Sequence, residues 1–189
     1  MALPRDRNSI RRSTYLLRQK LGLKDTPYFP IVEFLENVLP EIDPTFHIEI
    51  LEDLELPGVQ AEYVPSLNVV RIKNSVYEAA VSGYWWARST LAHELGHYYF
   101  HDEKSVRYAK LDPCKKVPPD FDPERQANVF AAELLAPIDL IGGLSEREIG
   151  SRCGVSYQIA KRQLRVLERI RLRKEGKRRA KKRRPSSKA

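Results

Sequence analysis

The spacing of apolar residues changes several times along this chain, and each change predicts an element. Ile10, Tyr15, Leu16, Leu17 and Leu21 recur among arginines at helical spacing, so residues 8–21 read as an amphipathic helix. Residues 30–38 read as a second helix, with Pro30 in its first turn. The run His47-Ile48-Glu49-Ile50-Leu51-Glu52 alternates and predicts a strand. Residues 59–63 and 68–73 predict two more, joined as a hairpin by the turn Pro65-Ser66-Leu67-Asn68. A helix then spans residues 85–101. Residues 102–122 hold three prolines and read as loop, with room for a short helical turn. Residues 122–137 are bracketed by Pro123 and Pro137 and read as a helix. Its apolar face runs through Ala127, Phe130, Ala131, Leu134 and Leu135. Residues 144–164 have helix-turn-helix spacing: Ile149 and Gly150 pack, Gly154 turns, Ser156 caps the second helix, and Ala160 and Leu164 return to the core. No internal repeat is visible.

The helix at 85–101 carries the candidate chemistry, His93-Glu94-Leu95-Gly96-His97. Residues four apart lie on one helix face, about 6 Å apart along the axis. His93 and His97 can therefore present two imidazoles to one metal ion. Glu94 is rotated by about 100° and reaches a water bound to that metal. Zinc with three protein ligands keeps a fourth position for water and lowers its pKa to about 7. A carboxylate beside that water can take its proton as it attacks a peptide carbonyl, so the pattern reads as a zinc peptidase. Three fixed letters in five also arise by chance in helices. Here Leu91, Ala92, Leu95, Tyr98, Tyr99 and Phe100 bury the helix, and buried polar side chains need partners. Gly96 costs about 1 kcal/mol relative to alanine inside a helix, which points to close backbone packing.

A catalytic zinc site needs a third protein ligand. The longer motif that ends in a third histidine fails, because Phe100 and Glu103 occupy the positions of its glycine and histidine. His101 lies about 12 Å along the axis from His93 and reads as a helix-end or supporting residue. His47 reads as a strand-surface histidine. Glu124 and Asn128 fall on the apolar face of the helix at 122–137, and Glu124 is the candidate third ligand. Alone it would serve as well to stabilise the first-turn dipole; beside the histidine motif, ligation is favoured. Glu133, about half a turn round from Glu124, is expected to face solvent or the helix flank.

The strings Thr90-Leu91-Ala92-His93-Glu94-Leu95-Gly96-His97-Tyr98 and Glu124-x-x-Ala127-Asn128-x-Phe130-Ala131-Ala132-x-Leu134-Leu135-x-Pro137 together resemble the ImmA/IrrE family of zinc metallopeptidases. The run Asn68-Val69-Val70-Arg71-Ile72 is also similar, and the resemblance spans roughly residues 10–170. Ala136 departs from it, where the family often has methionine. The resemblance implies an α+β, zincin-like fold: a small antiparallel sheet packed on a zinc-binding helix and a ligand helix, with a C-terminal helix-turn-helix-like helical pair. It implies zinc held by His93, His97 and Glu124, with Glu94 as catalytic base. It also implies a helix-turn-helix transcriptional repressor as substrate, often encoded nearby on a mobile element, whose cleavage relieves repression. In that family a comparable helical pair packs against the catalytic domain, and packing is the favoured reading of residues 144–164. As a helix-turn-helix, the second helix would lie in the major groove of DNA, where Lys161, Arg162 and Arg165 could meet phosphates. The expected division is a peptidase domain at 1–143, the helical pair at 144–172 and a basic tail at 173–189. For substrate capture, residues 68–73 are the candidate sheet edge onto which a peptide would add as a strand.

Charge is unevenly placed. Residues 161–189 hold 15 Lys/Arg against 2 Asp/Glu, a net +13 in a chain of +8, so the body carries −5. From Arg173 the tail has no periodic apolar residues and is expected to be disordered in isolation. It reads either as a solubilising tail or as a weak nucleic-acid contact through counterion release. A second reading of the whole chain therefore stands beside the first: a non-proteolytic DNA-binding regulator, or an antitoxin-like protein, on a zinc-peptidase scaffold. The intact Glu94 argues against it, since a purely structural site has no use for a base there. No apolar run approaches 18 residues, and residues 1–10 lack the apolar stretch of a secretory signal. Cys114 and Cys153 are too few for a disulfide framework. The expectation is a cytoplasmic protein with reduced thiols and no membrane partner.

Overall fold

The computed structural model describes residues 3–101 and 117–183. Helix α1 (Arg7–Lys20) starts where Asp6 accepts a hydrogen bond from the Ser9 N–H, and it buries Ile10, Thr14, Leu17 and Arg18. Helix α2 is composite: Ile31–Glu33, a π turn at Phe34–Val38, then Leu39–Ile42. Pro40 has no N–H for the carbonyl four residues back, and the ladder widens just before it. Three strands follow, β1 (His47–Leu51), β2 (Ala61–Val64) and β3 (Val69–Lys73). Helix α3 (Asn74–Val81) was not legible from periodicity, because it buries only Val76 and Ala80. Helices α4 (Trp85–Phe100) and α5 (Pro123–Leu135) form the centre of the molecule. Helices α6 (Glu146–Cys153) and α7 (Tyr157–Arg183) complete the described chain.

The sheet is mixed, in the order β1-β3-β2. The hairpin is antiparallel as expected, Tyr63 facing Val70, but β1 runs parallel to β3, His47 beside Val69. This corrects the purely antiparallel sheet and the placement of the free edge at residues 68–73. Val69, Val70 and Ile72 of β3 are all buried. A near-continuous apolar run is the mark of a strand covered on both sides. The edge nearest α4 is β2. The hairpin turn is tight: Asn68 adopts φ +52°, a left-handed conformation that asparagine tolerates better than most residues.

One core joins these layers. Phe29, Phe34, Leu35, Val70, Leu91, Leu95, Phe130, Leu134, Ile149 and Ala160 all belong to it. Glu133 departs from the sequence expectation, for it is fully buried. Its carboxylate accepts from Arg7 at 2.8 Å and from Arg11 at 2.9 Å, because α1 lies across the face of α5 that spacing alone leaves to solvent. The α6–α7 pair packs into the same core through Ile149, Cys153, Val155 and Ala160, and Gln163 donates to the carbonyls of Ala132 and Ala136. Gly154 makes the turn at φ +63°, and Ser145 and Glu148 form a capping box at the start of α6. Arg88 of α4 donates to the carbonyls of Phe29 and Gly154, tying the helical pair to the helix that carries the histidines. Composition predicts no regular structure from residue 173, yet α7 continues through Arg183. Lys, Arg, Glu and Ala are good helix formers, and extending a formed helix is easier than starting one. Cys153 is buried and free; Cys114 and most of the expected loop at 102–122 lie outside the described residues.

Candidate metal centre

The site is built where α4 and α5 cross. A Cβ added to Gly96 would lie 2.9 Å from the Ala127 Cα and 3.2 Å from its carbonyl oxygen, so the backbones meet without a side chain between them. Helix propensity alone favours alanine at position 96 by about 1 kcal/mol. Overpacking against backbone costs about 1–3 kcal/mol, and here the contact is to main-chain atoms that cannot rotate away. Gly96→Ala is therefore expected to lower the unfolding midpoint in denaturant and to weaken metal binding in a chelator competition. A more stable variant with unchanged affinity would show that the crossing has slack.

That close crossing carries Glu124, one turn before Ala127, to the two histidines. His93 Nε2 lies 3.2 Å from one Glu124 oxygen, and His97 Nε2 lies 3.4 Å from the other. The two Nε2 atoms are 3.0 Å apart. Among the described residues, His93, His97 and Glu124 form a cluster with one ligand atom from each within 4.8 Å of the others. Ligands on a tetrahedron of about 2.0–2.1 Å bonds stand about 3.3 Å apart, so these separations suit a zinc-sized ion with two nitrogens and an oxygen. Hydrogen bonds from His93 and His97 hold the Glu124 carboxyl far below the usual carboxylate range. Burial lowers the His93 pKa, but the facing Glu124 and Glu94 outweigh it and the net shift is upward. Both effects express the same tendency of the cluster to gather positive charge between these side chains. Asn128 donates to the Glu124 carbonyl at 2.7 Å and lines the same cleft.

His101, at the end of α4, supports rather than ligates. Its Nδ1 lies 2.9 Å from His97 Nδ1, and its Nε2 lies 3.0 Å from Gln126 Oε1. A ligating His97 Nε2 leaves the proton on Nδ1, which then donates to His101 Nδ1. His101 Nε2–H donates on to Gln126, whose amide donates to the carbonyls of Leu3 and Asp120. Every donor in this chain has a single direction, which fixes the tautomer of His97. Burial pushes the His101 pKa down to about 4, consistent with the neutral ring that accepting a proton requires. The i+4 spacing of His101 was a usable signal. Gln126 gave none, because its partner is set by the tertiary fold.

Glu94 stands apart from the ligands. It is buried, and its Oε2 accepts from the Tyr63 N–H of β2 at 2.8 Å. Burial raises its pKa, with the charges of His93 and His97 acting in the opposite direction. Tyr63 is itself fixed: its hydroxyl donates to Asn68, whose amide donates to Asp43, and Asp43 also accepts from Tyr98 of α4. These bonds, dominated by Thr45, Asn68 and Tyr98, lower the Asp43 pKa to about 2. The network clamps the β2 edge beside the metal helix, and nothing in the spacing of the sequence announced it. The cleft has a volume of about 560 Å³, with β2 along one wall and Ser89, Thr90, His93, His97, Glu124 and Asn128 along the other.

A helix with two histidines and a buried glutamate, a second helix with a carboxylate, and a strand edge beside them define a zincin-like metallopeptidase domain. Comparison with known families agrees: residues 87–165 match the Peptidase_M78 family, described as IrrE N-terminal-like domain. Over those residues the chain is similar to IrrE/ImmA-like peptidase domains, in line with the resemblance of its motifs. A solved structure described as a Mycobacterium tuberculosis transcriptional regulator shares the fold, with a TM-score of 0.53 over 81% of this chain at 13% identity. The chain spans 45% of that protein. No curated protein matches in sequence.

Proposed function

We propose that this protein is a zinc-dependent endopeptidase that cleaves a helix-turn-helix transcriptional repressor. The observation that carries the peptidase reading is the convergence of His93, His97 and Glu124 with a separate buried carboxylate, Glu94, on the wall of an open cleft. His93, His97 and Glu124 would hold a zinc ion, which would supply a Lewis acid for the scissile carbonyl and would acidify a bound water. Glu94 takes the proton of the attacking water and passes it to the leaving amine. Its hydrogen bond to Tyr63 keeps the carboxylate aimed into the cleft. Burial raises the Glu94 pKa and so makes its carboxylate a stronger base for the first transfer. The repressor as substrate is supported by the family resemblance, and a cytoplasmic site of action goes with it. Among the described residues no helix is long and apolar enough to cross a membrane. Incubating the zinc-loaded protein with a purified repressor encoded beside it tests the reading by mass spectrometry. One internal cut, abolished by a chelator, supports it. An intact repressor with zinc bound would favour the non-proteolytic regulator.

Substrate capture follows from the edge that the sheet leaves open. Lys73 donates to the Gln60 carbonyl, so residues 60, 62 and 64 face β3, and the backbone groups of Ala61 and Tyr63 face outward. The Tyr63 N–H serves Glu94, which leaves the Ala61 N–H as the outward donor for an added peptide strand. Ala61→Pro removes that donor without touching the ladder to β3. KM is expected to rise about tenfold, the effect of losing one hydrogen bond of about 1.4 kcal/mol, with zinc content unchanged. An unaffected KM would place the substrate elsewhere.

A further inference from the structure

Helix α7 carries a second surface. Tyr157, Lys161, Arg165, Arg169, Arg173 and Lys177 recur every fourth residue, with no acid in the row. Over 20 residues at 1.5 Å each this row runs about 30 Å. Arg162 lies beside it. Through residue 169 the row lies away from the side that Ala160, Gln163, Leu164 and Leu167 turn toward the core. Residues 171–177 are all exposed. Among the described residues, none of the salt bridges engages a cation of this row. Like charges at i, i+4 destabilise a helix, and here four such pairs follow one another. A partner that neutralises all of them at once relieves the repulsion.

We propose that this row docks on double-stranded DNA. Its composition argues against a protein partner: interface cores are depleted of charge and anchored by aromatic and apolar side chains. Between 161 and 177, Leu172 is the one exposed large apolar residue. Single strands need repeated stacking platforms, and the row holds one aromatic, Tyr157, with Lys161 Nζ lying 5.5 Å from its ring. The cations from Lys161 to Lys177 run about 24 Å along the helix and wind about 160° round it, which suits the phosphates lining both sides of a duplex groove. A helix enters the major groove of B-form DNA, whereas the A-form groove of RNA is too narrow for it. The short α6, the Gly154 turn and the exposed Tyr157 and Gln158 at the start of α7 place the row where the second helix of a helix-turn-helix meets DNA. Phosphate contacts dominate, so binding is strong at low salt and nearly indifferent to sequence.

The proposal is independent of the peptidase reading, and its test needs no cleavage. Full-length protein is titrated onto two unrelated fluorescent DNA duplexes, and anisotropy is followed from 50 to 300 mM salt. With six cations engaged, log K falls against log salt with a slope of about −5, and the two duplexes agree within a fewfold. In the variant Arg162→Gln/Arg165→Gln/Arg169→Gln/Arg173→Gln the slope is expected to fall in magnitude by roughly 3–4. Glutamine keeps the helical propensity, and circular dichroism and zinc content serve as controls. If the quadruple variant loses helicity, the single substitution Arg165→Gln, expected to reduce the slope by about 1, decides instead. An unchanged slope in the folded variant overturns the proposal. So does no binding of the wild type at 50 mM salt, a preference for duplex RNA, or equal competition by polyglutamate.

Discussion

Without its two motif histidines the protein is expected to hold no zinc. Wild type should carry about one ion per chain, since a single His/His/Glu cluster of suitable spacing is present among the described residues. Three protein ligands are the minimum of a catalytic zinc site, and His93→Ala/His97→Ala leaves one. Glu124→Ala removes the lone oxygen ligand and is expected to have a similar result. Its side chain is 62% exposed, so this variant should stay folded and separate loss of metal from loss of structure. Elemental analysis of the purified variants decides. Undiminished zinc in the double variant would refute the assignment.

Glu94→Gln should separate catalysis from metal binding. Glutamine preserves size and an oxygen that can accept from the Tyr63 N–H, but it cannot take a proton. A positioned general base contributes on the order of 10²–10⁴ in rate, so the cleavage rate is expected to fall by at least that much. Zinc content should be unchanged, because Glu94 lies outside the cluster. A repressor substrate should still be retained by the variant in a pull-down. Cleavage at the parental rate would remove Glu94 from the mechanism.

The His93, His97 and Glu124 cluster was legible in the sequence because helical spacing is rigid. Residues 93 and 97 must share a face, and a carboxylate on the apolar face of a second helix asks for a cation. Gly96 was legible for the same reason, as an expensive residue in a buried helix whose close neighbour proved to be Ala127. What failed was pairing between distant segments. Alternation locates all three strands but carries no information about their neighbours, so it cannot tell that β3 is the centre of the sheet and not its edge. Periodicity sees one helix at a time and so leaves Glu133 to solvent or the helix flank, whereas α1 arrives from more than a hundred residues away to cover it. The link from Tyr63 to Glu94 is a backbone donor, and backbone donors are invisible in a sequence. The tail showed the limit of composition: its residues lack a packing face in the sequence yet favour helix, and an existing helix extends through residues 173–183.

The two helices that hold the cluster come from separate stretches of chain and touch at Gly96 with no methyl group between them. Occupancy of the site and docking of the helices therefore belong to one thermodynamic cycle. Whatever spreads the helices loosens the ion, and the ion tightens the helices by the same free energy. Chelation is then expected to lower the unfolding midpoint of the folded protein as well as its activity. In a cell, the supply of zinc would govern how much of the protein survives proteolysis, and so its abundance as well as its turnover.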